Sequence, residues 1–323
     1  MVAVYGNIEA KDDYTHPLGP EQNFNESMYF NFFDQGGGYG GFLRMGNRAN
    51  EGYAEVTLCL YLPTGEVLFS YQRPEISSND AMDAGGMRFE VLEALAKHRT
   101  RYEGSAVFLK DPTQMGDPGQ AFRENPHQRV TLDLIHEAIG PVYGFAGARR
   151  EGTDQEREFA RAHYEQHMGI SGTLTIDGES TEIHGAGLRD HSWGPRSWQA
   201  IHSYRWLTCA FGPDLAITVS EIRPEPDVRN QSGVVVRGER LERIRSVEID
   251  TEYVPETMYH RRLTATLGLE SGEQLVLEGE VRGFIPLRNR RAGKMTHIGE
   301  GMTEYRCAGR VGYGISEYLD QVP

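Results

Sequence analysis

One fourteen-residue stretch concentrates the side chains that could do chemistry. Residues 185–198 read Gly-Ala-Gly-Leu-Arg-Asp-His-Ser-Trp-Gly-Pro-Arg-Ser-Trp. On an extended chain alternate side chains share a face, so Arg189, His191 and Trp193 should point one way and Asp190 the other. An imidazole exchanges protons near neutral pH, a carboxylate can orient it, and an indole offers an apolar face that attracts cations. The stretch predicts the wall of an acid–base pocket. As scaffold, it would instead hold a structural ion pair and core tryptophans.

A pair of histidines lies upstream of this stretch. His163 and His167 are four residues apart, with Glu165 between them. Residues 152–167 have the composition of a helix that Thr153 can cap, and a helix would place both imidazoles on one face, where they could bind a metal ion. The order H-Y-E-Q-H differs from the H-E-x-x-H of metalloproteases. A metal-dependent hydrolase using His163 and His167 is therefore an alternative, and we expect no metal and no cofactor.

Charge and cysteine content restrict the partners and the compartment. The 323 residues carry a formal net charge of −14, which repels phosphate backbones and anionic lipids, so we expect no nucleic-acid or membrane-surface partner. No stretch approaches the ~20 apolar residues of a membrane helix, and the polar N-terminus lacks the apolar region of a signal peptide. Three widely spaced cysteines argue against a disulfide framework and predict a cytoplasmic protein. A homodimer is left open.

Alternating apolar residues predict strands along much of the chain. The clearest hairpin pairs 263–269 with 275–281, and the same alternation occurs in 56–62 and 129–135. Many short strands separated by turn residues are typical of an all-β sandwich or barrel. The segment 87–98 fits either a strand or a helix.

A single short helix, 152–167, is expected to connect two β domains. We place an N-terminal domain at 1–150 and a C-terminal domain at 151–323, with the RDHSWG run near the start of the second. The glycines of 36–41 match G-x-G-x-x-G, but no helix follows them. They therefore predict a loop between strands and no dinucleotide site.

The run G-x-G-x-R-D-H-S-W-G-x-R-x-W resembles the signature of the lipocalin-like hydratase/cyclase superfamily, which includes carotenoid 1,2-hydratase and lipocalin-type cyclases. The segments 163–166 and 312–318 are similar to members of the same group. The resemblance implies two packed lipocalin-like antiparallel barrels with a site around the central motif, and chemistry without a metal or an organic cofactor. It places His191 and Trp193 toward the cavity. It also implies an acid on a later strand, for which Glu221 is the stand-in.

Together these observations favour a cofactor-free lyase or isomerase, either a hydratase/dehydratase or a cyclase. Its substrate would be a hydrophobic isoprenoid-, steroid- or polyketide-like small molecule. The alternatives are a non-catalytic binder of hydrophobic ligands, the metal-dependent hydrolase, and a carbohydrate-active enzyme with paired carboxylates. Glu304 and Glu317 are secondary candidates for the buried acid. The predicted catalytic residues are His191, Asp190, Glu165 and Glu221, and the predicted substrate-binding residues are Trp193, Trp198, Arg189, Arg196 and Tyr164.

Overall fold

The computed structural model describes residues 2–145, 161–291 and 293–322, and strands dominate them. This confirms the all-β class that the alternation predicted. Within these ranges the one α-helix is α1 (Pro118–Glu124). No helix in the described part of the chain has the length and apolar character that crossing a membrane requires.

The chain forms two compact units. The first comprises residues 1–63, 68–109 and 125–197, and the second comprises 64–67, 110–124 and 198–323. The sequence predicted a domain boundary after residue 150, with the RDHSWG run near the start of the second domain. In the structure this run belongs to the first unit, where its strand pairs with the N-terminal strand β2.

The first unit contains twelve strands in one sheet. They are β1 (Val4–Gly6), β2 (Phe24–Asp34), β3 (Tyr39–Arg48), β4 (Tyr53–Tyr61), β5 (Val67–Gln72), β6 (Asp83–Ala84), β7 (Met87–Glu93), β8 (Lys97–Leu109), β9 (His127–Ala138), β10 (Val142–Phe145), β11 (Ala162–Ile176) and β12 (Glu179–Pro195).

Pairing within this sheet closes a ring. The order β11-β12-β2-β3-β4-β5-β8 continues through β9, which pairs with both β8 and β11. The ring therefore holds eight strands, as a lipocalin-like barrel does. Its interior is packed with apolar side chains from every side, including Phe32, Leu58, Leu134 and Met168. Side chains fill small barrels of this kind, so a polar residue inside one needs a partner.

The second unit is a closed barrel of eight antiparallel strands with its own apolar core. They are β13 (Ser203–Ala210), β14 (Ala216–Arg223), β15 (Asn230–Arg237), β16 (Arg240–Tyr253), β17 (His260–Leu269), β18 (Gln274–Arg291), β19 (Lys294–Cys307) and β20 (Arg310–Val322).

The predicted connecting helix 152–167 is wrong where the structure describes it. Residues 162–167 form the start of β11, which pairs along its whole length with β12, at 163–165 with β10 and over its second half with β9. Residues 152–160 lie outside the described residues. Ladder hydrogen bonds on both sides outweigh the modest helix propensity of this segment. The ambiguous segment 87–98 is a hairpin, made of β7, a turn at 94–96 and the start of β8.

Candidate active site

The RDHSWG run lies on β12, between β11 and β2. Two glycines that precede this run allow β12 to approach β2 closely, because a Cβ on Gly185 or on Gly187 would lie 2.0 Å from a carbonyl oxygen of β2. His191 pairs with Tyr164 of β11, and Arg189 pairs with Gln166. Directly paired residues share a sheet face, so these side chains lie on the inner face, as the alternation predicted.

Glu26 of β2 is the carboxylate that contacts His191. Its Oε1 lies 2.6 Å from Nε2 of His191 and 2.9 Å from Nδ1 of His16. Its Oε2 accepts hydrogen bonds from the His16 backbone N–H at 3.1 Å and from Asn79 at 3.2 Å. Burial opposes the ionisation of Glu26, but the hydrogen bonds from His16 and His191 lower its pKa to about 2. Glu26 is therefore a carboxylate at neutral pH.

Asp13 is a second buried acid, at the end of the 3-10 turn Ala10–Asp13. Its carboxylate accepts hydrogen bonds from Arg189, from the Tyr164 hydroxyl at 2.7 Å, from the Leu95 N–H, and from His98 at 2.9 Å. Burial again opposes ionisation, but the His98 hydrogen bond and the Arg189 charge hold the pKa of Asp13 well below its usual range. Burial lowers the pKa of His98 to about 4, so its ring is neutral at pH 7.

Tyr164 joins the two acids through His191. Its hydroxyl lies 2.7 Å from Asp13 and 3.0 Å from Nδ1 of His191, and it accepts a hydrogen bond from Arg189 at 3.0 Å. Arg189 also donates to Gln166 at 2.9 Å. Burial raises the pKa of Tyr164 well above its ordinary value, so the phenol keeps its proton. The result is a continuous chain from Asp13 through Tyr164 and His191 to Glu26.

The chain reaches the protein surface at His16 and Trp193. Their rings are stacked, with centroids 3.8 Å apart and an interplanar angle of 13°. The His16 side chain is 17% exposed and Trp193 is partly buried, whereas His191, Tyr164 and Glu26 are buried. This stacked pair is the accessible edge of the network, and the indole there offers a π-face to an apolar or cationic group.

Two predicted catalytic residues lie on the opposite face of the sheet. Asp190 and Glu165 are paired across β12 and β11, and both contact His163 instead of His191. Burial disfavours the His163 cation, but the charge and hydrogen bond of Asp190 raise its pKa to about 9. The expectation that Asp190 or Glu165 holds His191 is corrected by this geometry, because neighbours along a strand point to opposite faces.

The shared metal site that a helix would form from His163 and His167 is not present. Both histidines are on one strand, where four residues span about 13 Å, which is too far for both to bind one ion.

Arg196, a predicted substrate-binding residue, donates to the hydroxyl of Ser192 at 3.0 Å.

The remaining predicted residues belong to the second unit. Glu221, on β14, accepts hydrogen bonds from Arg223, Arg229 and Gln231. These bonds lower the pKa of Glu221 against the effect of its burial, so it is an ionised partner of arginines and not a raised-pKa acid. Trp198 lies on the 3-10 turn Trp198–Ala200.

Within the described residues, two groups bring histidine and carboxylate donor atoms within 4.8 Å of one another. They are His16, Glu26 and His191, and His163, Glu165 and Asp190. In the first group both ring nitrogens lie at direct hydrogen-bond distance from one carboxylate oxygen. The second is a charged histidine between two carboxylates. We therefore interpret both as hydrogen-bonded acid–base groups.

Asp13, His16 and Glu26 were not predicted as site residues from the sequence. Asp13 lies 151 residues from Tyr164 and 176 from Arg189, and Glu26 lies 165 residues from His191, so no local spacing connects these acids to the RDHSWG strand and its partner. One signal was available for Glu26, which is a carboxylate inside the aromatic strand β2. A charge in such a strand requires a buried partner.

The fold is similar to several solved structures across nearly the whole chain. A crystal structure described as an AttH from Nitrosomonas europaea is 15% identical with a TM-score of 0.63, and the match covers 95% of this chain and 98% of that one. Kievitone hydratase from Nectria haematococca is 12% identical with a TM-score of 0.59, covering 99% and 96%. CghA with Sch210972 is 12% identical with a TM-score of 0.55, covering 96% and 95%. These likenesses show that the chain shares the fold of these proteins, as the resemblance implied.

Sequence comparison is less informative about activity. A search of curated proteins gives no match. The family model described as a domain of unknown function, DUF7064, matches residues 9–322. The match spans nearly all of the sequence, and the chain therefore belongs to the DUF7064 family.

Proposed function

We propose that this protein is a lyase or intramolecular isomerase, a hydratase/dehydratase or a cyclase, that acts on a hydrophobic small molecule by acid–base chemistry without an organic cofactor. The observation that carries the proposal is the position of His191. It contacts one buried acid, Glu26, directly and a second, Asp13, through Tyr164. Perturbed, interlinked acids and bases of this kind gather at catalytic sites.

The surroundings of the network support an apolar substrate. The accessible edge is an indole stacked on an imidazole, and the barrel behind it is apolar. The likeness in fold to kievitone hydratase and to CghA supports a lyase or cyclase reaction for this protein. Arg189 is bonded to Asp13, Tyr164 and Gln166, so its role in the proposal is to hold the network and not to anchor a substrate.

The chemistry follows from a proton held by the His191–Glu26 pair. Transfer of that proton to one carbon of a double bond uses the π electrons to form a C–H bond and leaves a carbocation. The Trp193 ring face stabilises the cation. Water can then attack the cation and give up a proton from its oxygen, or a second double bond can attack it and the new cation gives up a proton from a neighbouring carbon. In either case that proton returns to the pair. Hydration and cyclisation share the first protonation and differ in the nucleophile and in the atom that gives up the last proton.

The test begins with native mass spectrometry of the purified full-length protein, to identify a co-purifying apolar molecule. That molecule and a panel of isoprenoid and polyketide alkenes are then incubated with the protein, and products are read as gain of water, loss of water or an isomer. Glu26→Gln and His191→Gln should each reduce turnover by about 100-fold or more. The control is Glu103→Gln, which changes an exposed residue paired with Arg129.

Wild-type turnover in His191→Gln would overturn the proposal. Tight binding of the panel compounds without any conversion would instead identify a carrier of hydrophobic ligands.

A further inference from the structure

We infer that His191 is held as the imidazolium cation, protonated on both ring nitrogens, and that Asp13 is the positioning residue that fixes this state through Tyr164. The inference deepens the proposed function and rests on it for its catalytic meaning. The site at rest is therefore an acid, whereas the sequence did not determine whether it is an acid or a base. The inference follows from where each hydrogen must lie in the hydrogen bonds that join Asp13, Tyr164, His191 and Glu26.

The count begins at Asp13, whose two oxygens receive four donors. Arg189 and the Tyr164 hydroxyl face Oδ1, and the Leu95 N–H and His98 face Oδ2. Asp13 is completely buried. A carboxylate can accept four hydrogen bonds but donates none, so each of these contacts requires a hydrogen on the partner. Tyr164 must therefore direct its one proton at Asp13.

Tyr164 then has only its lone pairs left for His191. If its proton turned to Nδ1 of His191 instead, the phenol oxygen would face the Asp13 oxygen at 2.7 Å with no hydrogen between them. Such a contact between two buried oxygen atoms is repulsive. The 3.0 Å contact between Tyr164 and His191 is thus an Nδ1–H donating to the phenol.

Glu26 likewise requires a hydrogen on Nε2, the other ring nitrogen of His191. Its Oε2 is occupied by the N–H of His16 and the amide of Asn79, and its Oε1 faces Nε2 of His191 at 2.6 Å. Two fixed donors, the His16 N–H and the Asn79 amide, hold Oε2, and both imidazoles face Oε1, so the pKa of Glu26 is lowered to about 2 against the effect of burial and the carboxylate is ionised. An ionised Glu26 requires a hydrogen on Nε2, so both nitrogens of His191 are protonated.

The charges balance in this state. Asp13 is neutralised by Arg189 and Glu26 by the His191 cation, so the buried network carries no net charge, as burial requires. The titratable groups around His191 are compatible with the imidazolium state. They are Tyr164 from β11, Glu26 from β2, the half-buried His16 from the N-terminal segment, and Asp190, whose charge lies on the other face of β12.

This state selects a class of substrate. A site that starts with an extra proton acts on molecules that gain one first. These are an electron-rich double bond, an enol or carbonyl oxygen, or a hydroxyl group that leaves as water. Substrates that must first lose a proton from carbon are disfavoured, because no free base is present on His191.

The experiment is nitrogen NMR of the full-length protein labelled with ¹⁵N-histidine, at pH 7. The resonances of His191 are identified by their loss in His191→Gln. We expect both of its ring nitrogens to show the shifts of an imidazolium in the wild type. In Tyr164→Phe the Nδ1–H loses its acceptor, so the Nδ1 resonance should shift, while that of Nε2, which faces Glu26, should stay in place. Asp13→Asn should have the same effect if it folds, and Tyr164→Phe supplies the answer if it does not.

His260, in the second unit, is the internal reference, and its spectrum should not change in either variant. A wild-type His191 with one protonated and one bare nitrogen would overturn the inference. So would an Nδ1 resonance that stays unchanged in Tyr164→Phe. Neither result depends on a substrate, so a failure to find turnover leaves this test intact. Conversely, a neutral His191 in an active enzyme would refute this inference alone.

Discussion

Neutralising Asp13 is the sharpest test of the buried network. In Asp13→Asn the shape of the side chain is kept, but the charge that balances Arg189 is lost. The amide also brings two N–H hydrogens to a place that already holds four donors. Two of those donors would then face a donor, and the Arg189 guanidinium would be left in a buried site without its anion.

The magnitude follows from burial. Asp13 is 0% exposed and the side chain of Arg189 is 3% exposed. Removing one partner of such a buried pair typically costs 3–5 kcal/mol, because the other charge remains desolvated. Exposed pairs contribute about 0–1 kcal/mol. We therefore expect Asp13→Asn to lower the free energy of unfolding of the first unit by about 3–5 kcal/mol.

The assay is a double-mutant cycle with Asp13→Asn, Arg189→Met and the double variant, measured by urea unfolding and followed by tryptophan fluorescence. Trp193 lies beside the network, whereas Trp198 and Trp206 belong to the second unit, so both are replaced by Phe in every variant and the remaining emission reports the first unit. We expect a coupling energy of about 2–4 kcal/mol, with the double variant more stable than the sum of the single losses predicts. The exposed Glu103–Arg129 pair is the matched control and should couple by less than about 1 kcal/mol. Additive losses at Asp13 and Arg189 would refute the reasoning.

Three further perturbations have expected outcomes. Burial lowers the pKa of His136 to about 3, below the 6.5 of an unfolded histidine, so acid stabilises the unfolded chain. Between pH 7 and 5 this costs about 2 kcal/mol of unfolding free energy (1.5 units at 1.36 each), and His136→Asn should remove that part of the slope in urea titrations. The raised pKa of His163, about 9, has the opposite sign: its stabilisation is full below pH 6.5 and is lost as pH rises through 9. Asp190→Asn should flatten the alkaline decline seen by thermal unfolding, and an unchanged decline would contradict the ion pair. Gly187→Ala would place a methyl group 2.0 Å from the carbonyl oxygen of Asn31, so we expect the free energy of unfolding to fall by about 1–3 kcal/mol or more and amide exchange in β2 and β12 to become faster. A variant as stable as the wild type would show that the strands can separate freely.

The parts of the fold that sequence alone could predict depend on short-range patterns. Period-two alternation gave the strand 263–269 and its partner, which form β17 and β18. The same alternation placed Arg189 and His191 on one face. Residues 162–167 were predicted wrongly because their composition suits a helix, and only their ladders with β12 and β10 make them a strand. Such pairing is long-range, and no window of the sequence contains it.

The acids of the site were beyond sequence reasoning for the same reason. Asp13 and Glu26 reach His191 because the N-terminal turn and β2 meet the strand β12, which comes about 165 residues later. The sequence offered Asp190 and Glu165 as nearer carboxylates. Proximity along the chain favoured them, although the pleat of a strand turns each away from its neighbour.

This pleat explains how the RDHSWG run should be understood. Its odd-numbered positions, Arg189, His191 and Trp193, belong to the inner network with Asp13 and Glu26, while Asp190 belongs to an ion pair on the outer face. The run is therefore two interleaved sets of residues that share a strand but not a site. Because the two faces are separated by the sheet, a change at Asp190 should act on His191 only through its charge, whereas a change at Glu26 removes a direct hydrogen bond. Unequal losses of turnover in Asp190→Asn and Glu26→Gln are thus the expected consequence of strand geometry, and equal losses would mean that the outer face takes part in the reaction.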